Sequence, residues 1–180
     1  MTIAVYCSAK DNIGESYLSL GDELGRWIAR QGDTLLYGGA TGGLMSRVSN
    51  AAHQAGGRVM GVVPEHIIKA GRRADNCDEL IVVRNMCERK QTMRANADVF
   101  VCLPGSYGTL DEMMDVIASG TVGEHKKPIL ILNHDGFYDK LEEEIEEMRH
   151  RRFLPQQESY KPIFVHTLEE IYLTINTYRK

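Results

Sequence analysis

Short β-rich apolar runs alternate with longer amphipathic ones along the whole chain, and this alternation limits the fold more than any other feature. Strand candidates are Ile3 to Ser8, Thr34 to Tyr37, Arg58 to Val63, Leu80 to Arg84, Val99 to Leu103, Pro128 to Asn133 and Ile163 to Val165. Helical patterns fall between most of them: Glu15 to Gln31, Leu44 to Ala55, Met86 to Ala95, Leu110 to Ser119 and Tyr138 to Arg149, with a last one from Leu168 to Tyr178. Such an order predicts βαβ units and an α/β fold: a mostly parallel sheet, doubly wound, with helices on both faces. The tract EEEIEE, Glu142 to Glu147, reads as the wet face of a helix whose Leu141, Ile145 and Met148 turn inward.

Composition narrows the function classes. The chain has 180 residues, which suits one domain, residues 1–180. Its 21 Lys and Arg against 25 Asp and Glu leave a net charge of -4, whereas a general nucleic-acid binder normally carries a basic excess. No window approaches the roughly 18 consecutive apolar residues of a membrane span. The N-terminus, MTIAVYCSAKD, reads as a first strand and not as a signal peptide. Cys7, Cys77, Cys87 and Cys102 form no C-x-x-C pair, which fits small buried hydrophobes in a reducing cytoplasm. The six histidines lack H-x-x-x-H spacing, so no metal site is expected.

In open α/β sheets a ligand sits outside the carboxyl ends of the strands, so the loops there carry the function. After the first strand comes SAKDNIGES, which is not the dinucleotide fingerprint. After the second comes GGATGGLM, residues 38–45; Leu44 stands where a P-loop has its lysine. Gly38, Gly39 and Gly43 allow close backbone approach, and the helix that follows offers free N–H groups to an anion. A packing turn is the simpler alternative. After the fifth strand comes PGSYGTLDE. Here Gly105, Ser106, Tyr107 and Gly108 form a close-approach loop, and Thr109-x-x-Glu112 reads as a capping box with Thr109 as N-cap. Two helix N-termini at one sheet edge favour a phosphate ester.

The segment RNMCERKQTMRANAD places Met86, Arg89, Lys90 and Met93 on one helix face. A core-facing stripe does not normally hold two adjacent cations, so Arg89 or Lys90 points at something negative. Arginine suits phosphate because its planar fork binds two oxygens. A carboxylate, Glu112, and a guanidinium, Arg89, near a phosphate ester permit one chemistry without metal or cofactor: cleavage of a ribose N-glycosidic bond. Its transition state has oxocarbenium character, which a carboxylate stabilises, while a cation or general acid helps the base leave.

These motifs, in this order, resemble the LOG (Lonely Guy) family of cytokinin riboside 5'-monophosphate phosphoribohydrolases, whose members often carry the label lysine decarboxylase. The family pattern PGGxGTxxE is met by PGSYGTLDE, M-x-x-R-K by Met86, Arg89 and Lys90, and the GG-x-x-x-GLM loop by Gly38, Gly39, Gly43, Leu44 and Met45. The resemblance implies a Rossmann-like fold without a dinucleotide, a homodimer or higher assembly, and no cofactor. It implies hydrolysis of a nucleoside 5'-monophosphate to base and ribose 5-phosphate. Arg89 and Glu112 match the family's catalytic pair. Gly105, Ser106, Gly108 and Thr109 match its phosphate and ribose loop, and Ser8 matches a serine after the first strand. The chain departs where Ser106 replaces the second glycine of PGG, and where Ile117 to Gly123 lacks a tryptophan-rich stretch. AMP or another purine monophosphate is therefore the expected substrate class, ahead of prenylated adenine nucleotides. A non-catalytic nucleotide or phosphorylated-cofactor carrier, such as the molybdenum-cofactor carriers it distantly resembles, is the alternative. A pure interaction domain, with Met113, Met114 and Val116 to Ala118 at a subunit contact, is a third reading. Lysine decarboxylation fits least, since it needs pyridoxal phosphate on a Schiff-base lysine.

Overall fold

The computed structural model describes residues 1–155 and 157–179. Seven strands among them form one sheet: β1 (Thr2–Tyr6), β2 (Thr34–Tyr37), β3 (Arg58–Pro64), β4 (Glu79–Val83), β5 (Val99–Cys102), β6 (Ile129–Leu132) and β7 (Ile163–Val165). Their order is β4-β3-β2-β1-β5-β6-β7, and every pairing is parallel. The helices are α1 (Glu15–Arg30), α2 (Gly43–Gln54), α3 (Glu65–Lys69), α4 (Met86–Asn96), α5 (Tyr107–Thr121), α6 (Asp139–His150) and α7 (Leu168–Thr177), with a single 3-10 turn at His134–Gly136. The α/β expectation is thus met, with a Rossmann-like winding outward in both directions from β1.

Alternate residues of each strand supply two separate cores. Ile3, Val5, Tyr37, Val99 and Val101 face α1, α2 and α7, meeting Leu24, Leu44, Val48 and Ile171. Ala4, Tyr6, Leu36, Phe100 and Cys102 face the other way, onto Met93 of α4 and Met113 and Val116 of α5. Because both faces are covered, the strands read as continuous apolar runs rather than alternating ones.

The chain reverses its winding between β1 and β5, which are hydrogen-bonded neighbours. The loops leaving them diverge to opposite sides, and this opens a crevice at the carboxyl edge. Ser8 N donates to the Pro104 carbonyl at 3.3 Å and ties the two loops at its floor.

Three sequence expectations need correction. Helix α5 starts at Tyr107 with Ser106 as N-cap, so Thr109 lies inside the helix and does not cap it. The short α3, directly after β3, carries no hydrophobic periodicity and has no counterpart among the expected helices. Helix α6 buries no residue fully; Leu141 packs against the core, but Met148 is exposed, because the helix rests only on the rim of the sheet.

Helices α1 and α2 approach closely at two glycines of α1. Gly21 and Gly25 lie one turn apart on α1 and are both buried. A Cβ at Gly25 would overlap the Val48 carbonyl oxygen and stand 3.0 Å from Ala51 Cβ and Ala52 N of α2. Alanine is the better helix former by about 1 kcal/mol, but the obstacle is backbone and cannot rotate away. Gly25→Ala is therefore expected to lower stability by about 1–3 kcal/mol, read as a reduced midpoint in urea unfolding with an unchanged slope.

Candidate active site

Helix α4 is built to deliver one arginine. Asn85 caps it, its side-chain oxygen accepting from Glu88 N at 3.0 Å, and the Glu88 carboxylate in turn accepts from Arg84 N at 2.8 Å. Only Arg89 and Met93 of this helix are buried. Arg89 is 6% exposed, and its Nε donates to the Val62 carbonyl of β3 at 3.0 Å. Its Nη1 donates to Oε1 of Glu112, which is 2% exposed on the second turn of α5. The two residues the sequence singles out are thus a buried ion pair.

Gly38, at the carboxyl end of β2, makes room for that pair. A Cβ there would overlap Arg89 Nη2 and approach Arg89 Cζ at 3.2 Å and Met45 Cε at 3.3 Å. Burial lifts the Glu112 carboxyl above its ordinary pKa, while the Arg89 charge opposes that shift. Tyr6, at the end of β1, lies in the same field: burial first, and then the Glu112 charge, push its phenol well up.

The two helix N-termini differ. At α2 the anion position is filled from within the protein, since Asp11 Oδ1 accepts from Gly43 N at 2.8 Å and Ser46 Oγ accepts from Gly42 N at 2.7 Å. The glycine loop is also paired along its backbone: Thr41 N donates to the Arg72 carbonyl at 2.9 Å, and Ala74 N to that of Gly39 at 3.1 Å. Gly39 (φ 63°) packs on Val62 and Val63, and Gly43 (φ 47°) on the Lys10 backbone. The glycines of this loop thus serve close packing on the protein itself. At α5, by contrast, the N-cap Ser106 makes no side-chain capping bond and no acidic residue occupies the first turn. That N-terminus keeps its dipole available to an anion.

Two clefts meet there. A polar one of about 950 Å³ is lined by Lys10, Asp11, Thr41, Ser46, Arg72 and Ser106, among others. An apolar one of about 340 Å³ is lined by Ser8, Ile13, Tyr17, Pro104, Gly105, Ser106 and Phe137, again among others. Of the expected site residues, Ser8, Gly105 and Ser106 border this crevice. Thr109 is buried behind Gly105, which is close enough that a Cβ would overlap Thr109 Oγ1. Arg89, Glu112 and Gly38 lie together beneath the carboxyl edge and line neither cleft. Lys90 is committed elsewhere, at 2.7 Å from Asp111 and 3.7 Å from Asp115. Met86 is half-buried at the start of α4, Gly108 is exposed, and Tyr107 is 90% exposed. Among the described residues no group of three or more His, Cys, Asp or Glu is placed to hold a metal ion.

The segment Ala9 to Ile13 and Arg72 belong to no motif in the sequence, although both border the crevice. The first is the loop after strand one, at the expected ligand position, but it lacks the glycines that would mark it. Arg72 sits far along the chain in the β3–β4 crossover and has no local signal.

The fold is a Rossmann-like α/β sheet whose carboxyl edge lacks a dinucleotide loop. A family model described as "Possible lysine decarboxylase" matches residues 45–175. The chain is 42% identical over 137 residues to the cytokinin riboside 5'-monophosphate phosphoribohydrolase LOG of Oryza sativa subsp. japonica, covering 76% of this chain and 57% of that protein. It is 38% identical over 139 residues to LOG5 of Arabidopsis thaliana, a protein of the same name, covering 77% and 61%. It is 37% identical over 169 residues to the cytokinin riboside 5'-monophosphate phosphoribohydrolase of Mycobacterium marinum, covering 94% and 90%. The chain belongs to the LOG family. Its match spans about 60% of the length of these two plant relatives. Among solved structures, the molybdenum cofactor carrier protein of Chlamydomonas reinhardtii superposes with a TM-score of 0.75 at 22% identity, covering 98% of this chain and 96% of that one. The molybdenum cofactor binding protein of Rippkaea orientalis gives the same TM-score, identity and coverage. These two likenesses establish the fold alone.

The buried pair has consequences for stability. Gly38→Ala puts a methyl where Arg89 Nη2 lies and forces the guanidinium to shift; overpacking of this kind costs about 1–3 kcal/mol, so a lower thermal midpoint is expected with the circular-dichroism spectrum retained below it. A second expectation concerns pH. Because the folded-state pKa of Glu112 lies above its unfolded value, the folded protein holds the extra proton between the two. Stability therefore rises as pH falls from the folded value to the unfolded one. Urea titrations across that window are expected to show the wild type gaining stability relative to Glu112→Gln; a constant difference counts against the raised pKa.

Proposed function

We propose that this protein is a nucleoside 5'-monophosphate N-ribohydrolase, releasing a purine base and ribose 5-phosphate. The observation that carries the reading is the buried contact of Arg89 with Glu112 beside the uncapped N-terminus of α5. The names of the family relatives support it. The two carriers share the fold at 22% identity, while the Arg89–Glu112 pair supports catalysis over carriage.

In this reading the 5'-phosphate docks on the first-turn N–H groups of α5, with the hydroxyls of Ser8 and Ser106 beside it. A helix N-terminus neutralises phosphate without a competing cation. The ribose then lies over the Glu112 carboxylate, which stabilises the oxocarbenium charge that develops as the C1'–N bond breaks. Arg89 holds Glu112 in place and balances its charge until substrate arrives. Since both side chains are covered, substrate binding uncovers the pair, and the energy for this comes from the phosphate contact. Water completes the hydrolysis at C1', and the base leaves with a proton.

AMP is the substrate class the reading favours. The unit acts as one nucleotide-binding α/β domain in the cytoplasm. Two of its four free cysteines are buried, and no described helix is long and apolar enough to cross a membrane. A homodimer is part of the same reading: Tyr107 and Met114 stand exposed one above the other on α5, with half-buried Leu110 and Ile117 beside them. Met113 and Val116 belong to the core and not to this face.

The test is incubation with AMP followed by chromatography for adenine and ribose 5-phosphate. Glu112→Gln is expected to lower turnover by about a hundredfold or more while AMP still binds. Absence of adenine from the wild-type reaction removes the ribohydrolase reading, and an unchanged rate in Glu112→Gln removes Glu112 from the mechanism.

A further inference from the structure

The polar cleft is larger than one phosphate requires. At about 950 Å³ it lies at the upper end of the roughly 300–1,000 Å³ range of ligand pockets. Ser106, the α5 N-cap, forms one wall; from there the cleft runs over the glycine loop toward the β3–β4 crossover. Two cations border it, Lys10 from the β1 loop and Arg72 from the crossover. Neither has a carboxylate partner within salt-bridge distance among the described residues. The one acid in the wall, Asp11, already receives the Gly43 N–H. Asp75, on the same crossover, borders a neighbouring cleft instead, with Ser49, Asn50 and His53.

Arg72 is held at this position by its backbone. Residues Arg72 to Ala74 run antiparallel to Gly39 to Thr41, joined through the Ala40–Arg73 bridge. Thr41 N donates to the Arg72 carbonyl at 2.9 Å, Ala74 N to the Gly39 carbonyl at 3.1 Å, and Arg72 Nη2 reaches only the Thr41 carbonyl, at 3.3 Å. The crossover thus places a guanidinium, with most of its donors uncommitted, in the wall of a cleft that Lys10 also borders. With Thr41, Ser46 and Ser106 also in its lining, this polar, cationic surface matches a multiply charged phosphate chain.

We propose that the polar cleft is a second anion subsite, which takes the β-phosphate of a nucleoside 5'-diphosphate or an inorganic pyrophosphate between Lys10 and Arg72. The inference deepens the ribohydrolase reading and rests on it for the position of the first phosphate. A diphosphate whose α-phosphate caps α5 extends away from Glu112 and into this cleft. Nucleoside diphosphates are therefore bound more tightly than monophosphates and compete with them.

Calorimetric titration in magnesium-free buffer tests the subsite. The full-length Glu112→Gln protein, which cannot consume the ligand, is titrated with AMP and with ADP; the unmodified protein is titrated with inorganic pyrophosphate and with phosphate. ADP is expected to bind at least tenfold more tightly than AMP, and pyrophosphate more tightly than phosphate. Arg72→Ala is expected to abolish both preferences with AMP affinity and AMP hydrolysis unchanged, and Arg72→Lys to keep most of them. Equal affinity for AMP and ADP, or a preference that survives Arg72→Ala, overturns the proposal. The pyrophosphate arm needs no variant at position 112 and so stands even if Glu112→Gln does not fold. Pyrophosphate selectivity without adenine release leaves the subsite and removes the ribohydrolase. Adenine release with no diphosphate selectivity does the reverse.

Discussion

A single buried ion pair organises the carboxyl edge of this sheet. Arg89 of α4 and Glu112 of α5 come from two consecutive βα units and meet beneath the ends of β2 and β3. Two charges taken out of water are stable only when each has close partners. Arg89 has Glu112 and the Val62 carbonyl; it also needs the bare backbone of Gly38. The pair ties α4, α5, β2 and β3 to one another at the end of the sheet where α/β proteins bind ligands.

The same crowding explains the division of labour between the two glycine-containing loops. The loop after β2 is occupied by the protein: Asp11 caps α2, the crossover pairs with its backbone, and Arg89 fills the space above Gly38. The loop after β5 is left open, with Ser106 exposed and the first turn of α5 free of acids. A site with one satisfied and one unsatisfied helix N-terminus is polarised. The free dipole end lies at α5, and the groups around α2 hold the wall in shape.

Much of this architecture is legible in the amino-acid sequence. Strand and helix existence follows from periodicity, because a parallel sheet covered on both faces demands apolar runs that local sequence reveals. The pairing of Asn85 with Glu88 can be read as a cap, since the interaction spans three residues. Thr109 misleads for the same reason. Its spacing to Glu112 satisfies a local rule, but Glu112 is drawn off to Arg89, a partner 23 positions away in the chain, and the helix begins earlier. Lys90 is an ambiguous cation until α5 supplies Asp111.

What the amino-acid order alone determined was the α/β class and the family, with Arg89 and Glu112 as site candidates, since each of these is written in local periodicity and short motifs. What only the tertiary structure decided was which charges meet, which helix end is free and which loop is already filled. Those outcomes depend on groups from separate βα units converging at one edge, where burial makes every unpaired charge costly and so forces a specific partner.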